Sequence, residues 1–293
     1  KMPKISIGLP VYNGEKFLRT KLERILSQTF HDIELIISDN VSTDLTAKIC
    51  EEFIKNDLRI KYTRQKTFLS GIENFGYVLE QAKSEFFVWT GVDDVWEPKF
   101  LEKNVKVLEE DKNIIGSISD VKFFYTYNEN LNLLLKKLKN ENKIQFEHCK
   151  PAYGDYSQRL KIFLKLRQAT SIYAVFRTKN LKKSFSKAKE ISPWDFALIL
   201  DLLQYGNFHV LDELLMFRYN RGSSEKSPLE VLIKEEKSLP EIILPNLKFT
   251  IWCWKNFGVK NNIKNCGWIL RYFAQGEFQL IIDLVKIIKK KLS

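Results

Sequence analysis

The segment that decides the fold lies near the start of the chain and reads K-I-S-I-G-L-P-V-Y-N-G-E-K-F-L-R-T-K-L-E-R-I-L, residues 4–26. Its apolar residues first alternate, as in a strand, and then recur on one face of a helix. The strand positions are Ile5, Ile7 and Leu9, and the helix positions are Phe17, Leu18, Leu22, Ile25 and Leu26. A strand that leads directly into an amphipathic helix indicates an α/β fold.

Strands and helices keep alternating through the first half of the chain. Further strands are predicted at 33–38, 59–63 and 86–90. This order predicts a Rossmann-like, mostly parallel sheet flanked by helices, which binds ligands beyond the carboxyl ends of its strands. The intervening helices carry apolar residues at helical spacing: Leu45, Ile49 and Phe53 in one, and Ile72, Phe75, Leu79 and Ala82 in the other.

The second half of the chain is less regular. Residues 126–150 are rich in Asn, Lys and Leu, and we interpret them as a mobile excursion. Strands are predicted at 171–176 and 210–219. Between them lies a predicted helix with Ser192 as its N-cap and Pro193 in its first turn. The remainder of the chain has a helical pattern.

The composition excludes several classes of protein. A chain of 293 residues that is 44% apolar can bury a substantial core. Its four cysteines are scattered and form no C-x-x-C pair, which indicates a reducing compartment and no structural zinc site. The chain has no continuous apolar run of membrane-spanning length and enters a strand without a visible signal peptide. We therefore expect a cytoplasmic protein.

The formal net charge of +11 favours anionic partners. Basic proteins bind nucleic acids, anionic membranes or phosphorylated small molecules. The lysines are dispersed and no Arg/aromatic nucleic-acid motif is present, so nucleic acid is not an expected partner.

Polar residues gather at the ends of three predicted strands, in P-V-Y-N-G-E (10–15), S-D-N-V-S-T-D (38–44) and G-V-D-D (91–94). In the last cluster, two adjacent carboxylates would repel each other and lose solvation beside a core. A bound cation would offset both the repulsion and the lost solvation. The alternative is that these acids only begin turns and cap helices. In the second cluster Ser42 or Thr43 is expected to cap the following helix, which leaves Asp39 free for a ligand.

These motifs resemble those of family 2 glycosyltransferases, which have the nucleotide-sugar-binding GT-A fold. Residues 10–30 are very close to that family's opening strand, loop and helix, and S-D-N-V-S-T-D corresponds to its D-D-G-S-T-D. G-I-E-N-F-G (71–76) matches its Asn-x-Gly element, and V-D-D-V-W-E-P (92–98) lies where its D-x-D motif lies. W-D-F (194–196) lies where the family has an acidic base.

The resemblance implies a domain organisation. It covers roughly residues 4–224, so a GT-A domain is expected over residues 1–224. Its nucleotide-sugar-binding half would be residues 1–120 and its acceptor-side half residues 121–224. Residues 225–293 would form a helical C-terminal extension.

The resemblance also implies roles for particular residues. Pro10 and Tyr12 would pack on the nucleotide base, the Asp39 carboxylate would accept the base's ring N–H, and Asp195 would deprotonate an acceptor hydroxyl. One displacement without a covalent intermediate would invert the anomeric centre. The full set of implied nucleotide contacts is Pro10, Tyr12, Asn13, Glu15, Asp39, Asn74, Asp93, Arg218 and Arg221.

A divalent cation, Mn²⁺ or Mg²⁺, is the implied cofactor. Asp93 would coordinate it directly, with Asp94 as a second ligand and Asn220 as a third, and the metal would stabilise the departing diphosphate. Trp96 and Trp194 would border the sugar or acceptor pocket. The chain departs from the family pattern at three positions: Gly91 replaces a carboxylate, Glu73 replaces a common Arg, and Asn220 stands where a His often binds metal.

The expected partners are a UDP-sugar donor and a glycan or lipid-linked glycan acceptor. The basic tail F-Q-L-I-I-D-L-V-K-I-I-K-K-K-L (278–292) would pack on the main domain or a second subunit, or lie on an anionic membrane. Two other functions remain open. One is a non-catalytic nucleotide-sugar-binding or scaffold protein. The other, a nucleotidyltransferase, is weaker because a Gly- and Lys-rich phosphate loop is missing near the N-terminus.

Overall fold

The computed structural model describes residues 2–125, 135–136, 138–139, 146–147, 149–219, 244 and 246–274. Outside this set lie Asn220, predicted to bind metal, and Arg221, predicted to contact the nucleotide. The basic tail at 278–292 and most of the predicted excursion at 126–150 also lie outside it.

The described residues form a mixed α/β fold in which helices flank a central sheet. Its strands are β1 Ile5–Val11, β2 Ile33–Asp39, β3 Ile60–Arg64, β4 Phe86–Trp89, β5 Val95–Trp96, β6 Ile114–Phe124, β7 Phe146–Glu147, β8 Val175–Arg177 and β9 Asn207–Tyr219. Its α-helices are α1 Glu15–Leu26, α2 Thr46–Asn56, α3 Gly71–Gln81, α4 Phe100–Glu110, α5 Tyr156–Leu166, α6 Thr178–Ala188, α7 Trp194–Leu202, α8 Leu247–Asn256 and α9 (259–274).

The strand order is β3-β2-β1-β4-β8-β6-β9-β5, with β7 paired to β6. The pairs β1–β2, β1–β4 and β2–β3 are parallel, which confirms the expectation for the first half of the chain. Strand β8 runs antiparallel to both of its neighbours, β4 and β6. The long strand β9 then pairs in parallel with β6. The second half is thus mixed rather than parallel.

Three local predictions were wrong. Residues 171–176 are not one strand, because a 3-10 helix (Ala169–Tyr173) precedes the short β8. Ser192 does not cap α7, since Pro193 occupies the N-cap position and no side chain caps the helix. Neither Ser42 nor Thr43 caps α2, whose N-cap is Leu45.

One apolar core runs through the described residues and includes the C-terminal helices. Phe249 and Trp252 of α8 and Ile269 and Tyr272 of α9 belong to the same buried cluster as β1 and β4. The helices of the described residues are all too short or too polar to span a bilayer.

Candidate active site

The three polar clusters lie together at one edge of the sheet. Val11, the last residue of β1, is in register with Asp39, the last residue of β2. On its other side β1 pairs in parallel with β4, which ends just before Gly91. Because the carboxyl ends of parallel neighbours meet at the same edge, residues 12–15, 39–46 and 91–94 border one crevice.

Hydrogen bonds tie the loop after β1 to the loop after β2. Asn13, which has a left-handed backbone (φ 48°), donates its N–H to Ser42 Oγ over 2.9 Å and accepts the Thr43 N–H at Oδ1 over 2.8 Å. Glu15 accepts the Leu45 N–H over 2.9 Å. Asn13 and Glu15 therefore shape the crevice, and their direct contact with a nucleotide stays a prediction.

Asp39 is fully buried at the end of β2. It accepts the Ser42 N–H and the Tyr62 hydroxyl, both over 2.9 Å, and the guanidinium of Arg64 lies 3.9 Å away. Each carboxylate oxygen can accept more than one hydrogen bond, so these bonds hold the group in place and leave capacity for a further donor.

Two exposed aromatic rings stand beside Asp39. Tyr12 is 50% exposed, and its ring meets Phe68 edge to face at 5.2 Å. The loop that carries Phe68 is fixed by Asn40, whose side-chain amide exchanges two hydrogen bonds of 2.8 Å with the backbone of Leu69. Pro10 is half-buried in β1, one residue before the end of the strand. Sequence reasoning identified Tyr12 but missed Phe68, although an aromatic residue in a polar loop was a usable signal.

Asn74 is bonded to the sheet, and its contact with a nucleotide stays a prediction. The side chain is buried, its Oδ1 accepts the Ser38 hydroxyl and its Nδ2 donates to the Ser38 carbonyl. With both polar atoms bonded to β2, Asn74 fastens α3 to the sheet.

Asp94 is buried and held from three sides. Its Oδ1 accepts from Arg218 Nε and its Oδ2 from the Gly91 N–H, each over 3.3 Å. The amine of Lys21 donates to the Asp94 backbone carbonyl over 3.0 Å. Burial together with the charge of Asp94 raises the pKa of the adjacent Asp93 to about 6. Asp93 is thus the member of the pair whose charge is less well compensated.

Lys21 is the least expected member of the site. Its amine is buried 4.4 Å from the centroid of the Trp96 ring, and burial lowers its pKa to about 8. Lys21 is spaced from Leu18 and Ile25 as residues on one face of α1, and that spacing was the signal that sequence reasoning overlooked.

Trp96 does not border a sugar pocket. It is 1% exposed, and its ring stacks on Phe100 at 4.7 Å while Lys21 covers it. Trp194 is half-buried and lies within 6.2 Å of the rings of Phe75, Trp89 and Phe185. Trp194 is thus largely a packing residue, and a pocket role for it stays a prediction.

Arg218 belongs to β9 and lies beside Asp94, close enough to Asp93 for their charges to interact. Its Nη1 reaches Thr170 Oγ1 at 3.5 Å and its guanidinium lies 4.4 Å from the Tyr173 ring centroid. Burial alone would lower the pKa of Arg218, but Asp94, Tyr173 and Asp93 raise it above its ordinary value. Arg218 is therefore a permanent cation held inside the site.

Asp195 lies in the first turn of α7. Its Oδ1 accepts the Phe196 N–H over 2.8 Å. Burial raises the pKa of Asp195, while the Phe196 N–H and the charge of Arg218 oppose the shift. Since Arg218 also lowers the pKa of Asp93, one cation acts on both carboxylates. Asp195 thus lies close enough to Arg218 to share its charge with Asp93, although it follows Asp93 by about a hundred residues in the chain, and its role as base stays a prediction.

The donor set suits a hard divalent cation. Within the described ranges, no group of three or more His, Cys, Asp or Glu side chains converges. Mg²⁺, however, is commonly held by one or two carboxylates together with substrate phosphates. Asp93 has the raised pKa of a buried carboxylate without enough positive charge around it, and a cation would correct that imbalance. Asp93 and Asp94 therefore fit such an ion.

Named glycosyltransferases are similar in sequence to part of this chain. GlyA, a glycosyltransferase of Streptococcus pneumoniae, is 34% identical over 127 residues, which cover 43% of this chain and 17% of that protein. The GalNAc(5)-diNAcBac-PP-undecaprenol beta-1,3-glucosyltransferase of Campylobacter jejuni is 35% identical over 94 residues, 32% of this chain and 30% of its own length. The matches thus span less than half the length of these curated relatives.

Solved structures share the fold. Residues 1–349 of TarS from S. aureus, in complex with UDP, superpose with a TM-score of 0.54 at 20% identity, over 78% of this chain and 62% of that one. The mannosyltransferase PcManGT from Pyrobaculum calidifontis, in complex with GDP-Man and Mn²⁺, gives 0.51 at 14% identity, over 100% and 81%. The profile of glycosyl transferase family 2 matches residues 6–185, more than half of the chain. The chain therefore belongs to glycosyl transferase family 2.

Proposed function

We propose that this protein is an inverting glycosyltransferase that moves a sugar from a nucleotide donor to a hydroxyl group, with a divalent cation at Asp93 and Asp94. One observation carries the proposal. The buried Asp94 is paired with the guanidinium of Arg218, and the charge of Arg218 also lowers the pKa values of the half-buried Asp93 and Asp195 at the carboxyl edge of the sheet. Buried acids whose pKa values are shifted by burial and by a specific charged partner cluster at functional sites, and a site that binds a diphosphate through a cation and activates a hydroxyl can use them.

Donor binding would use the outer part of the crevice. The exposed ring of Tyr12 offers a face for the base, and Asp39 offers an acceptor for a ring N–H. Arg218 can hold a diphosphate oxygen while it remains paired with Asp94. A cation bound at Asp93 and Asp94 would supply Lewis-acid stabilisation of the departing diphosphate.

Asp195 would act as the general base. Burial raises its pKa and makes it a stronger base, and Arg218 keeps part of the carboxylate charge balanced. Proton transfer of this kind contributes roughly 10²–10⁴ to a rate. Direct attack of the deprotonated acceptor hydroxyl on the anomeric carbon, without a covalent intermediate, inverts that carbon in a single displacement, and this is the reaction proposed.

The proposed donor is a UDP-sugar, supported by the UDP and UDP-GlcNAc complexes of TarS. The proposed acceptor is a glycan or a lipid-linked glycan, supported by the undecaprenol-linked substrate named for the Campylobacter relative. A cytoplasmic location, self-association and membrane contact through residues 278–292 remain predictions.

Calorimetric titration of UDP and GDP, each with Mn²⁺, Mg²⁺ or EDTA, tests the donor site. We expect UDP binding that requires the metal and is lost in Asp93→Asn. Unchanged binding in that variant would overturn the metal assignment. Binding of UDP without any donor turnover would instead favour the non-catalytic binding protein.

Asp195→Asn tests the base. We expect the affinity for UDP to stay within about threefold of the wild type while transfer falls by roughly 10² or more. Asp212→Asn, which alters an exposed carboxylate of β9, is the matched control and should leave transfer unchanged. Release of nucleoside diphosphate rather than pyrophosphate distinguishes a glycosyltransferase from a nucleotidyltransferase. Retained transfer in Asp195→Asn would require another base.

A further inference from the structure

Helices α8 and α9 each leave an apolar stripe uncovered. On α8 the exposed apolar residues are Leu247, Ile251 and Trp254, which recur at helical spacing on one face. On α9 they are Val259, Ile263 and Leu270, of which Val259 is 74% and Ile263 63% exposed. Isolated exposed apolar residues are ordinary, but exposed apolar stripes on two neighbouring helices are the kind of surface that marks a protein or membrane contact.

The opposite faces of both helices are already used. Phe249 of α8 stacks on Phe196 of α7 at 5.8 Å, and Tyr272 of α9 stacks on the same Phe196 at 5.2 Å. Asn265 of α9 donates to Ser157 Oγ over 2.9 Å. Because these contacts fix which faces point inward, the two stripes are held outward by the body of the protein.

The charged residues of the two helices are all basic, although the exposed carboxylate of Asp155, at the N-cap of α5, interacts with Lys260 and Lys264. Residues 242–276 contain no Asp or Glu. The basic side chains of this segment are all exposed on α8 and α9: Lys248, Lys255, Lys260, Lys264 and Arg271. Exposed apolar residues flanked by lysines, with a tryptophan among them, are the pattern of a helix that lies in a membrane interface.

We propose that the outer faces of α8 and α9 form a docking surface for an anionic lipid bilayer. A second copy of this chain bound through the same face would bring two sets of cations together, which repulsion disfavours. Anionic headgroups, in contrast, neutralise the cations while the stripes enter the boundary between headgroups and acyl chains. The surface is distinct from the predicted tail contact at residues 278–292.

This surface is coupled to the site through α7. Phe196, which packs against both helices, directly follows Asp195. The ring stack of Phe196 with Phe249 and Tyr272 therefore links the helix of the proposed base to the two helices of the docking surface. Lipid binding itself does not rest on the proposed function, because it requires neither a nucleotide nor turnover.

Vesicle flotation with the full chain tests the proposal, using phosphatidylcholine alone and an equimolar mixture with phosphatidylglycerol. We expect flotation with the mixed vesicles only. Ile251→Glu and Ile263→Glu should each weaken partitioning by about 10-fold, since each loses an apolar side chain from the interface. Lys260→Gln and Lys264→Gln should each weaken it about 5-fold. High salt should weaken the wild type as well.

Two further variants test whether the effect of an added carboxylate depends on where it is placed. Leu58→Glu places a carboxylate on a side chain that is 98% exposed in the turn before β3, and it should leave flotation unchanged. Gly267→Glu adds the charge between Ile263 and Leu270, where a side chain would have open space, and it should weaken binding without disturbing the fold. Circular dichroism checks that each variant is folded.

Failure of the wild type to float with anionic vesicles would overturn the proposal. Equal flotation of wild type, Ile251→Glu and Ile263→Glu would also overturn it and would place lipid contact elsewhere in the chain. A fall in oligomer size in those variants, without any lipid binding by the wild type, would show that a second copy covers the stripes. A blue shift of fluorescence on vesicle binding that Trp254→Phe removes would support the proposed orientation.

Discussion

At the scale of single residues, the two adjacent aspartates have different surroundings. Asp94 is paired with Arg218, which lies 124 positions away in the chain, and its backbone is held by Lys21. Asp93 shares the burial but has less compensation, so its pKa rises to about 6. Sequence reasoning could find the pair because the two residues are adjacent. It could not tell their surroundings apart, because the cations that contact Asp94 arrive from α1 and β9.

The raised pKa of Asp93 predicts a pH-dependent penalty on stability in metal-free protein. Well below the ordinary value of 3.8, near pH 3 and lower, the carboxyl is protonated in both folded and unfolded chains and contributes nothing. As the pH rises to about 6, the unfolded chain loses this proton while the folded chain keeps it, so the free energy of unfolding falls. Asp93→Asn should therefore be more stable than the wild type by about 1–3 kcal/mol at pH 7, and this difference should vanish near about pH 3.

Urea unfolding in EDTA across this pH range measures the difference. Asp212→Asn is the matched control, because its carboxylate is exposed and its removal should not alter the free energy of unfolding. A gain for Asp93→Asn that does not depend on pH would contradict the assigned pKa. If Asp93→Asn gains stability and loses metal-dependent UDP binding, the destabilising carboxylate is retained because the ligand requires it.

At the scale of elements, the loops after β1 and β2 act as one unit. Asn13 joins them because it accepts the Thr43 N–H and adopts a left-handed backbone that other residues with a Cβ resist. Asn13→Ala should lose about 2 kcal/mol of unfolding free energy, about half from the backbone and half from the hydrogen bond. Asn13→Gly should lose only the hydrogen-bond part, and Asn13→Asp should be close to the wild type.

Thermal and urea unfolding of the three Asn13 variants separate these contributions. The same variants should rank in the same order for UDP affinity, because the loops carry Tyr12 and border Asp39. If Asn13→Gly and Asn13→Ala were equally destabilised, the left-handed backbone would have no measurable cost. A loss of UDP binding in Asn13→Asp without loss of stability would instead favour the direct nucleotide contact predicted from the sequence.

Helix α7, which carries Asp195, is positioned by the C-terminal helices. The rings of Phe196, Phe249 and Tyr272 pack together, with Tyr272 and Phe249 4.6 Å apart. Tyr272→Ala should cost about 3–5 kcal/mol of stability and should lower transfer more than donor affinity, because the base moves and the nucleotide site does not. Tyr272→Phe keeps the ring stack and should lie within about 1 kcal/mol of the wild type.

Steady-state kinetics separates the effect of Tyr272→Ala on transfer from its effect on donor affinity. A fall in kcat with an unchanged KM for the donor is the expected result, measured at a temperature where the variant remains folded. Equal loss of kcat and donor affinity would indicate general loosening rather than displacement of α7.

At the scale of the whole molecule, the sequence predicted the first half of the fold far better than the second. Strands β1 to β4 and helices α1 to α3 follow from apolar periodicity, which acts over a few residues. The antiparallel β8 and the insertion of β9 between β6 and β5 depend on pairings across long stretches of chain, which periodicity does not encode. In the site, Asp39, Asp93 and Asp94 follow strands and were recognisable. Lys21 and Phe68 carried local signals that were overlooked, whereas Thr170 meets Arg218 only through long-range pairing.

The C-terminal helices provide the last prediction. The sequence predicts a domain that ends near residue 224, but Phe249, Trp252, Phe257 and Ile269 lie in the main core beyond that point. Burial of such side chains is worth about 1.5–3 kcal/mol each, so their loss removes about 6 kcal/mol or more from a typical total of about 5–15 kcal/mol. A fragment of residues 1–224 should therefore unfold without a cooperative transition, whereas residues 1–274 should keep one. Calorimetry of both fragments beside the full chain measures how cooperatively each one unfolds. A sharp transition in residues 1–224 would show that this fragment folds without α8 and α9.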